Sequence, residues 1–252
     1  MISIKISSIV FACVFGGALL GILLHPVLPQ HHLSAESKDI VKLGMGLVGT
    51  MAALVLGLLV ASAKSSYDTQ SAEMTQLTAN VTLLDRILAH YGKETTESRD
   101  LLHETVTRVV SQISAEDSAI AGSASPKSAG GELLYDKIQA LSPKNDTQRS
   151  LRSQALSIAM DTGKLRQLMF AQSSAAVSTP LLVVLVVWLT VIFISFGVFA
   201  PFNATVVSSL FISALSVSGA IFLILDMYTP YTGVIAISSA PLQTALAQLG
   251  QY

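Results

Sequence analysis

The acidic and basic residues of this chain are confined to a few stretches, and the gaps between them decide what it can fold into. No Asp, Glu, Lys or Arg occurs between Lys5 and Glu36, between Lys42 and Lys64, or between Arg166 and Asp226. Crossing about 30 Å of hydrocarbon takes roughly 20 mostly apolar residues, and inside hydrocarbon a helix satisfies its own backbone polar groups. The first gap supplies a span at 6–24, ending at His25-Pro26, and the second supplies one at 43–63, bounded by Lys42 and Lys64. The third gap is too long for a single crossing. It breaks at Ala200-Pro201-Phe202-Asn203, where Pro and Asn favour a turn, leaving spans at 180–199 and 204–225. Only 12% of the 252 residues are charged, about half the fraction usual in a soluble domain. The expected fold is all-α, a polytopic membrane protein with four transmembrane helices in two pairs, 1–63 and 179–225.

A cleaved signal peptide competes for the first span. Its apolar run outlasts the roughly 7–15 residues of a signal core, and no small-x-small site follows, so the helix is expected to be retained. Orientation follows from Lys and Arg near the helix ends. Lys5, Lys64, Lys164 and Arg166 fall on one side, and Lys38 and Lys42 on the other. That bias places both termini and residues 64–178 in the cytoplasm, with the inner (plasma) membrane as the location.

Residues 64–178 read as a cytoplasmic helical, coiled-coil stalk between the second and third spans. Met74, Leu77, Val81, Leu84, Leu88 and Tyr91 alternate spacings of three and four, a heptad seam, and Gly92 offers a C-terminal cap. The second membrane helix is therefore expected to continue unbroken into this seam. A second helix begins at Thr95 or Thr96, and residues 116–131, rich in Ser, Ala and Gly, read as a flexible linker. A short helix covers 132–141. A last one, capped at Asn145 or Asp146, carries the seam Leu151, Ala155, Ile158, Thr162, Leu165 and Met169 and should pack antiparallel to the first rod. Residues 226–252 give a turn and a short amphipathic helix with Leu242, Ala245, Leu246 and Leu249 on one face. It is too short to span and is expected at the membrane interface or against the stalk.

Three features could carry function. Gly49, Ala53, Gly57 and Ala61 recur every four residues in the second span. Small residues at that spacing admit a second helix at close range, either from the same chain or from another subunit or pore helix. Thr205, Ser209, Ser213 and Ser216 form a hydroxylated stripe on the fourth span, fit either for interhelical hydrogen bonds or for solvating an ion at an oligomer axis. Asp226, at the C-terminal end of that span, opposes the helix dipole and needs a partner at the membrane boundary; a structural ion pair, a cap and an ion-pathway acid are the readings.

Other chemistry is not indicated. The net charge of −1 gives no reason to expect a nucleic-acid partner. Cys13, the single cysteine, reads as a buried apolar filler. His25, His31 and His32 share a loop without helical ligand spacing, so no metal is assigned. No phosphate-binding glycine loop and no nucleophile–base pattern occurs; neither a cofactor nor an enzymatic activity is expected.

Four stretches carry a resemblance: Gly49–Tyr67 (GTMAALVLGLLVASAKSSY), Leu84–Gly92 (LDRILAHYG), Phe196–Thr205 (FGVFAPFNAT) and Asp226–Leu242 (DMYTPYTGVIAISSAPL). In order and content they resemble the bestrophin-like domain family of bacterial membrane proteins over essentially the whole chain. Tyr228 stands where the family often has an acid, and Phe202 where it often has a basic residue. The resemblance implies kinship with bestrophins, pentameric anion channels with four membrane helices per subunit and a helical cytosolic part. No aromatic pore neck or acidic calcium clasp of their kind is found here, so neither gating nor calcium dependence carries over. Two functions are therefore weighed: a homo-oligomeric ion (anion) channel or pore, and a membrane scaffold or sensor whose stalk, through Leu77, Leu84 or Leu165, binds a cytoplasmic protein partner.

Overall fold

The computed structural model describes residues 2–26, 35–114, 129–173, 178–229 and 233–250. Every regular element among them is helical: α1 (Ile2–Leu24), α2 (Ala35–Tyr91), a 3-10 turn (Lys93–Thr95), α3 (Thr96–Ser114), α4 (Ala129–Gln139), α5 (Asp146–Ser173), α6 (Thr179–Phe199), α7 (Ala204–Met227) and α8 (Ala240–Gln248). Contacts divide the chain into two compact units, Met1–Ser66 with Ala176–Tyr228, and Tyr67–Ala175 with Thr229–Tyr252. Four helices are long and apolar enough to cross a membrane, α1, α2, α6 and α7. The second is unbroken over 57 residues, as its uninterrupted sequence requires, and contributes to both units.

In the first unit α1 and α6 run parallel. Gly17 lies against Thr190 and Ile194, and Gly21 against Ile194, Gly197 and Val198. At the end of α1, His25 Nδ1 donates to the Val198 carbonyl oxygen at 2.6 Å; because that oxygen can only accept, Nδ1 carries the proton. α7 packs antiparallel on α1 through Phe11, Phe15 and Phe211, whose rings lie 5.4–5.6 Å apart with Phe211 edge-on to both. Val14, Ala18, Leu185, Ala214 and Ile221 are completely buried. α1 is thus part of this unit's core. The turn at Ala200–Asn203 is where the sequence places it, and Asn203 caps α7 by accepting the Val206 N–H at 2.8 Å. Asn203→Ala is expected to cost about 1 kcal/mol, read as a lower unfolding midpoint of the detergent-solubilised protein.

The second unit closes around the expected seams. Met74, Leu77, Val81, Leu84 and Leu88 of α2 are buried with Leu102 and Val106 of α3, Leu134 and Ile138 of α4, and Ala155 of α5. Two side-chain bonds fix α5 antiparallel to the end of α2: Gln172 Nε2 to Glu73 at 2.8 Å, and Gln148 Nε2 to the Tyr91 carbonyl oxygen at 3.0 Å. Gly92 reverses the chain with φ 129°, a conformation L side chains rarely adopt. Thr95 then donates to Leu88 O at 2.6 Å, satisfying a carbonyl at the end of α2.

One expectation changes here and another narrows. Of the linker expected at 116–131, residues 116–128 lie outside the described residues, and 129–131 already belong to α4. Gly130 is a packing residue: a Cβ there would come within 2.7 Å of Thr105 Oγ1. Of the two places expected for the C-terminal helix, the membrane interface or the helices of 64–178, its apolar face lies at the second. Ile237, Leu242, Ala245 and Leu249 are buried, and α8 contacts α3 within the second unit's own core.

Candidate functional site

Among the described residues, neither small-residue stripe packs against a helix of its own chain. Ala53, Gly57 and Ala61 are exposed, and a Cβ built at Gly49 or Gly57 would meet nothing within 4 Å. Thr205, Ser209, Ser213 and Ser216 are exposed along α7. Ser216 donates to the Ile212 carbonyl oxygen at 2.9 Å, whereas Thr205, Ser209 and Ser213 have no hydrogen-bond partner among the described residues. The close helix contact lies elsewhere, where the backbones of α1 and α6 meet at Gly21 and Gly197. The spacing Gly17-x-x-x-Gly21 is its sequence signal.

At one end the two stripes converge. A groove of about 560 Å³ opens between the start of α2, the last turns of α6 and the first turns of α7. Gly46 and Gly49 form its wall on α2, Ile192 and Phe196 on α6, and Val206 and Leu210 on α7. Its polar groups are Ser195, Ser209 and Lys42. Lys42 lies 3.7 Å from Asp39, both more than two-thirds exposed, a pairing that water largely screens.

Asp226 lies in the last turn of α7, only 3% exposed, among buried Ile224 and Leu225. The backbone N–H of Tyr228 returns to the Asp226 carbonyl oxygen, and the Tyr228 hydroxyl lies 3.0 Å from that of Ser62 on α2. Tyr228 therefore joins the end of α7 to α2 through a neutral hydrogen bond. Cys13, expected as a buried filler, is exposed on α1 among the described residues. His31 and His32 lie outside the described residues.

Among the described residues of the second unit, Arg99 and Asp85 form a buried ion pair. Arg99 Nε and Nη2 donate to the two oxygens of Asp85 at 2.7 and 3.0 Å, with the carboxylate 5% and the guanidinium 17% exposed. That hydrogen-bonded carboxylate raises the Arg99 pKa further. Asp85 Oδ2 also accepts the Gly250 N–H at 3.4 Å, so it touches α2, α3 and the segment after α8. Burial moves Arg166 the other way, downward. Neither residue stood out in the sequence, because a single acid and a single base on different helices form no motif. Leu77 and Leu84 are buried and Leu165 packs on the same cluster. They are core residues rather than an open docking face, and replacing them would unfold the unit before it tested any partner.

No curated protein and no solved structure matches the chain. A family model described as Bestrophin-like domain matches residues 12–242. That match extends from the first span into the helix that completes the second unit's core, and with four apolar helices long enough to cross a bilayer it identifies a membrane protein of the bestrophin-like family.

Proposed function

We propose that the chain is a homo-oligomeric ion channel or pore, permeable to anions, in the inner membrane, with both termini and the second unit in the cytoplasm. Family membership carries this reading, since the bestrophins for which the family is named are oligomeric anion channels. The subunit surface supports it. The small-residue face of α2 at Ala53, Gly57 and Ala61 is open to a neighbouring subunit. The α7 stripe, with Ser213 and Ser216 at the middle of that helix, offers hydroxyls to a permeating ion in place of water. The sidedness rests on Lys5, Lys64, Lys164 and Arg166 against Lys38 and Lys42.

The test is chloride efflux from liposomes containing purified protein of defined oligomeric mass. A ring-shaped assembly with efflux above empty vesicles is expected. Ser213→Leu, by removing a solvating hydroxyl from the path, should lower efflux about ten-fold without changing the assembly. A tight monomer with no efflux would overturn the proposal.

A further inference from the structure

We propose that the groove between α2, α6 and α7 is a binding site for an anionic phospholipid, with one acyl chain along its apolar walls and the phosphate at Lys42. The volume of about 560 Å³ is that of a small-molecule site, inside the common range of about 300–1,000 Å³. Its lining is divided as such an amphiphile requires. Ile192, Phe196 and Leu210 make an apolar bed, and the polar groups Lys42, Ser195 and Ser209 join it. The groove reaches Phe199 and Ala200, where α6 ends and the turn into α7 begins, which is the level of the headgroups.

Charge complementarity selects an anionic headgroup over a zwitterionic one. Lys42 is exposed at the groove, and a long lysine stem lets the ammonium reach the interface while its methylenes stay on apolar surface. Along the start of α2 Glu36 and Asp39 match Lys38 and Lys42 in number, but of these four only Lys42 lines the groove, so the charge presented to it is positive. The first turn of α7 presents the positive end of its helix dipole on the same side, where Val206 lines the groove. Ser209 and Ser195 can donate to phosphate or ester oxygens. Among the described residues no side chain comes within 4 Å of a Cβ built at Gly49. The proposal does not require conduction. It places a lipid beside the end of the α7 stripe, where lipid composition would act on whatever the stripe does.

The test is native mass spectrometry of the full chain released from bilayers of equal parts phosphatidylglycerol and phosphatidylcholine. Retention of phosphatidylglycerol at one per chain, several-fold over phosphatidylcholine, is the expected result. Lys42→Gln should cut that preference about five-fold, the worth of one basic residue at an anionic surface. Gly49→Leu, which enters open space in a helix and so leaves the fold intact, should abolish retention of both lipids. Added inorganic phosphate, lacking acyl chains, should displace nothing. Retention of the two lipids in their bilayer proportion would overturn the proposal. So would undiminished lipid in Gly49→Leu, displacement by phosphate alone, or a Gly49→Leu variant that loses oligomer mass but no lipid, since that groove would belong to a second copy of the chain. Failure of chloride efflux leaves this result standing, and loss of lipid retention leaves the efflux reading standing.

Discussion

Gly21→Leu and Gly197→Leu should each destabilise the membrane unit by about 3 kcal/mol or more, the upper end of what overpacking costs. A Cβ at Gly21 would run into the Ile194 carbonyl oxygen, with Val198 N at 2.9 Å beyond it. At Gly197 it would run into the Ala18 carbonyl oxygen, with Ile22 N at 2.9 Å. Both obstacles are backbone, so no rotamer change relieves them and the two helices must separate. Separation also exposes Ala18 and Phe193, now buried in this unit's core. In lipid no hydrophobic drive restores the contact, because tight packing is itself the attraction. The measurement is the unfolding midpoint of purified protein, alongside the yield of monodisperse material. Gly49→Leu serves as control, since its new side chain meets open space and a helix prefers leucine to glycine. Equal midpoints for Gly21→Leu and Gly49→Leu would refute the packing argument.

The second large effect is expected at the buried ion pair. Removing one partner, by Asp85→Leu or Arg99→Met, leaves an uncompensated charge in the core and should cost about 3–5 kcal/mol. The double variant Asp85→Leu/Arg99→Met should be far less damaged, because burying two apolar side chains avoids the desolvation both charges incur. Limited proteolysis reads this out, with new cleavage between Tyr67 and Ser173 expected in each single variant and largely suppressed in the double. A double variant as labile as the sum of the singles would show that the two residues act independently. Arg99→Lys should fall between, since an ammonium cannot reproduce the two parallel bonds that the guanidinium makes to Asp85 Oδ1 and Oδ2.

These two sites mark the boundary of what could be read from the sequence. The four spans, the Pro201–Asn203 turn and the α2 seam were legible because each repeats one simple requirement, apolar length or heptad spacing, over many residues. The α1–α6 contact was not read: Gly17-x-x-x-Gly21 in the first span is a signal for it, but its partner Gly197 stands alone in α6. The stripes on α2 and α7 were visible as spacing. What spacing cannot convey is whether the facing partner belongs to the same chain, and here the space over Gly49 and Gly57 is open. Gly130 was misread because glycine in a Ser- and Ala-rich run looks the same whether it permits flexibility or a close approach to Thr105. Asp85 and Arg99 lie 14 positions apart on different helices, and only the reversal at Gly92 brings them together.

The segment that includes α8 has a consequence for synthesis. The core of the second unit draws Met74 to Leu88 from before α6 and α7, and Ile237, Leu242 and Leu249 from after them. A ribosome therefore finishes two membrane helices before it supplies the last pieces of that core. Until then α3, α4 and α5 wait with an uncovered apolar surface, and a stop codon placed after Tyr228 would leave it permanently open. The order of translation thus places synthesis of the second helical pair before completion of a core that contains neither helix.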